Sequence, residues 1–249
     1  MSSYQTTLPL STKRILDAIG KVGVEYTVEA GRPDCITEEV LELLTEYGVT
    51  RICVNPQTFN DETLLRLNRR HTVKDIYDKY ALAKDKFSVN MDLIAGLENE
   101  TFDDFKHSVE SAIALRPDDI TVHTLCIKRG AKLAETTVRL PETEIEKMVD
   151  YAHGALRSAG YKPYYLYRQK YMAGNLENTG YALNGKECIY NIDVMEETAD
   201  NLALGANAVS KIVYNGGQRI ERYANPKDIL TYLDKIDKII EEKNRFFLK

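Results

Sequence analysis

Apolar residues follow two alternating spacings along roughly the first two-thirds of the chain. Short runs rich in β-branched and aromatic residues, bounded by glycine, proline, asparagine or aspartate, predict strands at 24–30, 51–55, 87–94, 119–127 and 161–167. Between them, apolar positions recur at helical spacing, as Val73, Ile76 and Tyr80 do within a predicted helix at 72–86. Strands that alternate with helices in this way favour parallel pairing through right-handed helical crossovers.

Residues that favour helix ends define the intervening helices. Thr37 is a cap for a helix that ends at Gly48, and Thr101 is a cap for one that runs to about Leu115. Pro141 suits the first position of a long helix that continues to about residue 158. Shorter helices are expected at 11–19 and from residue 61.

The number of strand–helix units limits the fold class. A complete eight-unit barrel needs about 250 residues, whereas only four or five units precede residue 168 here. We therefore predict an α/β fold: an incomplete parallel (β/α) barrel over 1–167 with a C-terminal α+β extension over 168–249. In the extension, glycine and asparagine at 172–196 indicate loops and short strands, and a final helix is expected from Asn225 and Pro226 to about Lys243.

Composition excludes several classes of protein. The formal net charge is −5, with 43% hydrophobic and 29% charged residues, which favours an ordinary globular protein without a nucleic-acid partner. Neither an apolar run of about 20 residues nor a signal-peptide core is visible, so we expect no membrane span and a cytoplasmic location. The four cysteines are far apart in sequence and form no CxxC motif. We therefore expect them to be reduced thiols.

Polar residues follow successive predicted strands. Glu29, Gln57, Asp92 and His123 lie at or just after the strand ends, where the loops of a parallel βα fold gather over one mouth. A strand-end carboxylate more often caps a loop than catalyses a reaction. The repetition over four strands indicates where a site lies, but it leaves the reaction open.

Several segments jointly resemble the radical-SAM oxygen-independent coproporphyrinogen III dehydrogenase family, over its C-terminal two-thirds. They are EYTVEAGRPD, RICVNPQTFNDETLLRLNRRHT, NMDLIAGLENET, TVHTLCIKRGAKL, PYYLYRQKYMAGNLENTGY and LGANAVS. Two loops depart from the family pattern, because Pro56 lies where many relatives have glycine, and Glu98 and Asn99 replace a common Pro-Gly pair. The resemblance implies a radical-SAM barrel, with S-adenosylmethionine as cofactor and a porphyrinogen-type small molecule as substrate.

The resemblance also implies site residues, by position. Glu29, Gln57, Arg69 and Asp92 would line the S-adenosylmethionine site. A second set would face the porphyrinogen and its propionates: Lys128, Arg129, Tyr164, Tyr165, Tyr167 and Arg168. Each has a plainer alternative, because arginines and lysines often occupy solvated surfaces and a tyrosine-rich strand often belongs to a core. His71 and His123 are interpreted as structural histidines rather than ligands.

The family's [4Fe–4S] cluster is bound by a CxxxCxxC motif that this sequence does not contain. The chain is thus expected to carry no cluster or metal ligands, and to form cofactor- and substrate-facing walls of an enzyme of haem biosynthesis that converts coproporphyrinogen III propionates to vinyl groups. It is expected to be inactive alone, so whether it acts as an enzyme stays open.

Two other functions are consistent with the sequence. One is a tetrapyrrole- or haem-binding or trafficking protein of the same family. The other is a barrel-like enzyme without metal that uses Asp92 or Glu29 as a general base. An incomplete barrel also leaves an unpaired edge beside the strand at 24–30, which predicts a homodimer through that edge or poor solubility.

Overall fold

The computed structural model describes residues 9–126, 140–168 and 176–248, which form two compact units. The first unit ends at Cys188 and the second begins at Ile189. This division comes later than the boundary expected after Tyr167, because a strand at Asn178–Ala182 belongs to the main sheet of the first unit.

The first unit alternates helices with strands. Its helices are α1 (Pro9–Ile19), α2 (Glu38–Glu46), α3 (Asp61–Arg66), α4 (Val73–Ala83), α5 (Phe102–Leu115) and α6 (Glu142–Ser158). Its strands are β1 (Thr27–Val28), β2 (Arg51–Cys53), β3 (Ser88–Ala95), β4 (Asp119–Thr124), β5 (Lys162–Tyr167) and β6 (Asn178–Ala182). Strands β1, β2 and β4 are shorter than the sequence pattern predicted, and α1 begins two residues before the expected start at residue 11.

The six strands form one sheet in the order β1-β2-β3-β4-β6-β5. Strands β1 to β4 are parallel, and β3 and β4 are in register from Asn90–Asp119 to Ala95–Thr124. This parallel core, with helices between its strands, confirms the predicted α/β fold of an incomplete parallel (β/α) barrel. Strand β6 was not predicted in its place: it runs antiparallel to both β4 and β5 and separates them.

One face of this sheet is apolar and covered by helices. Val89, Met91, Leu93 and Ala95 alternate along β3 and are at most 1% exposed. The same face continues on neighbouring strands with Ile52, Ile120, Val122 and Tyr181. Helices α5 and α6 pack on β3 and β4. Burial of each large aliphatic side chain contributes about 1.5–3 kcal/mol, so the apolar face is a major source of stability for the first unit.

Caps set the beginnings of several helices where the sequence predicted them. Thr37 accepts a hydrogen bond from the Val40 amide before α2. Thr72 and Thr101 each form a reciprocal capping box with an aspartate three residues later, before α4 and α5. Pro141 occupies the position just before α6 rather than the first helical position. These caps fix where the loops that follow the strands must end.

The second unit contains α7 (Ile189–Met195), β7 (Val209–Tyr214), β8 (Arg219–Ala224), α8 (Ile229–Asp234) and α9 (Ile236–Phe247). Strands β7 and β8 form an antiparallel hairpin. The single helix expected from residue 226 is wrong: Asp228 caps α8, and the helix is interrupted at Lys235. Within the described residues, no helix is long and apolar enough to span a membrane.

Candidate functional site

The face of the sheet opposite the apolar face is polar, and we call it the polar face. It is formed by Arg51 and Cys53 of β2, Asn90 and Asp92 of β3, and Asp119, Thr121 and His123 of β4. Side chains two residues apart along a strand share a face. Contacts across the strands agree with this, since Thr121 Oγ1 donates to Asn90 Oδ1 over 3.4 Å and Asn90 Nδ2 lies 3.8 Å from Cys53 Sγ.

Asp92 and His123 form a pair at the carboxyl ends of β3 and β4. His123 Nε2 lies 3.6 Å from Asp92 Oδ1, which also accepts a 2.9 Å hydrogen bond from Asn90 Nδ2. Burial opposes ionisation of Asp92, but His123 and then Asn90 outweigh it, so the net effect lowers the pKa of Asp92. Burial likewise disfavours the charged imidazole, yet Asp92 outweighs it and raises the pKa of His123. Each charge therefore stabilises the other.

Glu29 brings a second carboxylate to the same region, one residue beyond β1. Its side chain opens to solvent, but the surrounding protein removes part of its hydration, and this effect together with the charge of Asp92 raises the pKa of Glu29. The buried thiol of Cys53 lies below these groups. Burial, followed by Glu29 and Asp92, raises the pKa of Cys53 well above its ordinary value, so the thiol stays protonated and is a poor nucleophile.

Gln57 reaches Asp92 through its backbone. The Gln57 amide donates to the Asp92 carbonyl over 2.9 Å, and the Ile94 amide donates to the Gln57 carbonyl over 3.0 Å. Gln57 has a φ of 69°, a left-handed conformation that costs a non-glycine residue about 1–3 kcal/mol. The backbone pairing with β3 holds this conformation, and it ends the path of β2 beside the Asp92–His123 pair.

Arg69 lies at the rim of the site, just beyond α3. Burial and then the neighbouring charge of Arg32 lower the pKa of Arg69, whereas Asp34 and Asp92 favour its charged form. Asp34 pairs directly with Arg32 over 2.7 Å. The carboxylate of Asp34 therefore acts on the Arg69 guanidinium only from a greater distance. His71 is fully buried 3.9 Å from Asp34, and burial followed by Arg69 lowers its pKa, so a neutral imidazole packs beneath the rim.

The four residues expected around S-adenosylmethionine thus meet around Asp92. Glu29 and Arg69 are close enough for Asp92 to affect their pKa values, and Gln57 is joined to it by a backbone hydrogen bond. The set offers carboxylates for an ammonium group or ribose hydroxyls, and a guanidinium for a carboxylate. In chemical type, this set of donors and acceptors fits S-adenosylmethionine.

The residues expected to face a porphyrinogen are brought together only in part. Tyr165 joins the polar face: its hydroxyl lies 3.3 Å from Thr121 Oγ1, and its ring contacts Tyr164 edge-on at 4.9 Å between centroids. Tyr167 is 39% exposed, and Arg168 forms an exposed 2.8 Å ion pair with Glu177. Lys128 and Arg129 lie outside the described residues.

Gly180 of β6 gives the Tyr165 ring its position. A Cβ atom added at Gly180 would lie 1.9 Å from Tyr165 Cε1, well inside contact distance. Only glycine therefore lets the ring lie flat against β6, next to Thr121. Asn178, on the same strand, accepts a 2.9 Å hydrogen bond from the Thr124 amide at the end of β4.

The opposite end of the polar face is closed by a buried ion pair. Arg51 Nη1 donates to Asp119 Oδ2 over 2.6 Å across β3, and Arg51 Nη2 donates to the Lys186 carbonyl over 2.7 Å. Both side chains are at most 6% exposed. This pair joins the amino ends of β2 and β4, away from the mouth, and is a structural clamp rather than part of the site.

The described residues do not fit an iron–sulfur cluster. They contain no group of three histidine, cysteine or acidic side chains that could hold a metal ion. All four cysteines are free thiols, and Cys53 and Cys188 are buried. No chemistry of the cluster is assigned to this part of the chain.

The sequence predicted His123 at this mouth, but it did not single out Asn90, Thr121 or Asn178. The side chain of His123 is 34% exposed beside Asp92, and its interpretation as a structural histidine rather than a ligand stays a prediction. For β4 the signal was present: Asp119, Thr121 and His123 are polar at alternate positions between buried aliphatic residues. Such alternation predicts one polar face.

Comparisons with known proteins show which proteins the chain resembles. Residues 3–112 match the model of the Radical SAM superfamily. The chain is 41% identical over 227 residues to the oxygen-independent coproporphyrinogen-III oxidase-like protein HemZ of Bacillus subtilis, covering 89% of this chain and 45% of that protein. It is 30% identical over 224 residues to the heme chaperone HemW of Haemophilus influenzae, covering 89% of this chain and 54% of that protein.

A solved structure shares the fold. The coproporphyrinogen III oxidase HemN of Escherichia coli, described as a radical SAM enzyme, superposes with a TM-score of 0.72 at 19% identity, over 93% of this chain and 54% of that chain. The chain spans about half the length of the curated relatives it matches. Residues 3–112 thus match a Radical SAM domain, and the chain is similar in sequence to a coproporphyrinogen oxidase-like protein and in fold to a coproporphyrinogen III oxidase.

Proposed function

We propose that the first unit binds S-adenosylmethionine and presents a wall to a porphyrinogen, as part of an enzyme that oxidatively decarboxylates coproporphyrinogen III propionates to vinyl groups. The observation that carries the proposal is the meeting of Glu29, Gln57, Arg69 and Asp92 at one mouth. In the family that this chain resembles, bound S-adenosylmethionine supplies an adenosyl radical after reduction by the cluster. No cluster ligands are found in the described residues, so the proposal concerns binding.

In this proposal, each charged side chain of the site binds a group of opposite charge or a hydroxyl group on S-adenosylmethionine. Arg69 presents a planar fork that binds a carboxylate through two hydrogen bonds. Asp92 stays ionised beside His123 and accepts hydrogen bonds from hydroxyl or ammonium donors. Glu29 adds a second acceptor and favours a cationic ligand over a neutral one, because two neighbouring carboxylates repel each other until a cation lies between them.

The substrate wall in this proposal is formed by Tyr164, Tyr165, Tyr167 and Arg168, with Lys128 and Arg129 as further partners for propionates. Flat aromatic rings pack against a tetrapyrrole, and arginine pairs with carboxylates. Tyr165 is the best supported of these residues, because its ring is fixed against Gly180 beside the polar face.

Calorimetric titration of the purified chain with S-adenosylmethionine tests the cofactor half. We expect binding that Arg69→Ala weakens by about tenfold or more, the usual loss for a charge-assisted hydrogen bond. Arg70→Ala is the matched control, since Arg70 is the exposed neighbour of Arg69 and should leave the affinity unchanged. Equal losses in both variants, or no binding by the folded chain, would refute the assignment.

A second candidate function is haem binding or trafficking, which the 30% identity to HemW favours. Titration with haem separates the two candidates. A stoichiometric complex with a defined Soret band, together with weak coproporphyrin binding, would support this second function. The reverse order of affinities would support the first.

Self-association through β1 is also part of the proposal. In the described residues, β1 pairs with β2 on one side, and its other edge has no described strand beside it. Exposed edge strands template pairing with another chain. Light scattering at rising concentration should show a dimer; a monomer throughout the range would exclude it.

A further inference from the structure

The acidic and neutral parts of the polar face meet at His123. On one side lie Asp92 of β3 and Glu29 beyond β1, both carboxylates. On the other side lie Asn178 of β6 and Tyr165 of β5, which are hydrogen-bonding but uncharged. His123 therefore lies at the boundary between the part of the site suited to a cationic cofactor and the tyrosine-lined wall.

The other cation of the polar face is already engaged. Arg51 is buried at the far end, where it donates to Asp119 and to the Lys186 carbonyl. His123 is accessible, because about a third of its side chain is exposed, while Nε2 faces Asp92 at 3.6 Å. Within the described part of strands β1 to β4, His123 is thus the cationic side chain of the polar face that an incoming ligand can contact.

We propose that His123 is a specificity-determining residue of this site, whose imidazolium receives a carboxylate of the substrate beside Asp92. The inference rests on the proposed function for the identity of the substrate, and it assigns a role that the resemblance did not give to this position. Asp92 and then Asn178 favour the charged form of the ring, and the exposed third of the side chain presents that positive charge to the substrate carboxylate. Tyr165 and Asn178 bring no competing negative charge from β5 and β6.

The charge of the ring makes recognition depend on pH. Asp92 raises the pKa of His123, with Glu29 adding to the effect, so the imidazolium persists to a higher pH than in an unperturbed histidine. Affinity for a carboxylate is therefore full below that raised pKa and is lost as the pH increases through it. The carboxylates of the ligand stay ionised throughout this range, because their pKa values lie near about 4 to 5.

Coproporphyrin III is the first probe, titrated at about pH 6 and about pH 9. We expect wild-type affinity to fall as the pH rises, and His123→Gln to bind about tenfold more weakly at the lower pH with no remaining pH slope. His107→Gln, at an exposed position of α5, should behave as wild type. A pH-independent wild-type affinity, a His123→Gln variant that keeps the slope, or no binding would each overturn the inference.

Histidine NMR of the unliganded protein gives a second readout that does not depend on S-adenosylmethionine. The His123 ring signal, identified by its loss in His123→Gln, should titrate above the ordinary histidine range and shift with propionate but not with propionamide. A signal that ignores propionate would overturn the inference even if the cofactor binds. Conversely, a chain that responds to propionate but does not bind S-adenosylmethionine would refute the proposed cofactor site and leave the role of His123 intact.

Discussion

The two faces of the main sheet are built from the same strands, yet they differ in almost every physical property. Along β3, the residues on the apolar face are at most 1% exposed, while Asn90 and Asp92 on the polar face are partly open. Neighbours in sequence therefore perform different tasks: Leu93 packs beneath helices, and Asp92 faces the candidate site.

The comparison shows that side chains for stability and side chains for recognition alternate along each strand, because successive residues point to opposite faces of the sheet. Burial of aliphatic side chains is non-directional, so the apolar face requires only close packing without cavities. Its aliphatic side chains carry no groups that could bind a polar ligand or react. The polar face keeps charged groups near one another, which requires partners for each of them. The Arg51–Asp119 pair is the charged exception, because it lies on the polar face but, like the neutral Cys53 and Thr121, is as buried as the core.

That exception should give the largest effect. Arg51→Met leaves Asp119 buried without its cation, and we expect a loss of about 3–5 kcal/mol in the free energy of unfolding. Urea denaturation measures it. The double variant Arg51→Met with Asp119→Leu should recover much of the loss, since an apolar pair of similar volume needs no counter-charge. Equal stability of the single and double variants would mean that the pair is not a clamp.

Substitutions at two adjacent positions on opposite faces, Asp92 and Leu93, should give the next largest difference in the free energy of unfolding. Leu93→Ala removes a fully buried side chain and should cost about 2–5 kcal/mol, whereas Asp92→Asn should cost much less and instead abolish S-adenosylmethionine binding. Denaturation and calorimetry on the two variants test this. The separation of the faces fails if Asp92→Asn destabilises the chain as much as Leu93→Ala does.

Two glycines give a smaller and more local contrast. Gly180→Ala forces the Tyr165 ring away from β6 and should cost about 1–3 kcal/mol, with altered Tyr165 fluorescence or NMR signals. Gly154→Ala lies inside α6 with nothing within 4 Å of the added carbon, and should stabilise the chain by about 0.5–1 kcal/mol. Thermal melting compares them; a neutral Gly180→Ala would show that the ring is free to move.

Much of the fold follows from local patterns. The alternation of strands and helices, the threonine caps and the parallel pairing were predictable because each depends on residues close together in sequence. The insertion of β6 was not, because nothing in the segment at 178–182 specifies pairing with a strand that ends over fifty residues earlier. The break at Lys235 was missed since the apolar spacing runs through it, although Ile229, Leu230 and Leu233 turn out to be exposed.

The site was predictable to a different extent. The resemblance supplied Glu29, Gln57, Arg69 and Asp92, and the structure brings these residues together, but their binding roles stay predictions. The partnership of Asp92 with His123 depends on strand register, which the sequence does not contain. The same holds for Arg51 and Asp119, which meet across 68 residues of chain.

The position of β6 has a consequence for the order of folding. Strand β5 precedes β6 in the chain, but in the described sheet β5 pairs only with β6. During synthesis at about 5–20 residues per second, the tyrosine-rich β5 therefore emerges from the ribosome before β6, its partner, does. Because the parallel strands β1 to β4 can form their pairs first, we expect the wall that carries Tyr165 to be the last part of the sheet to assemble.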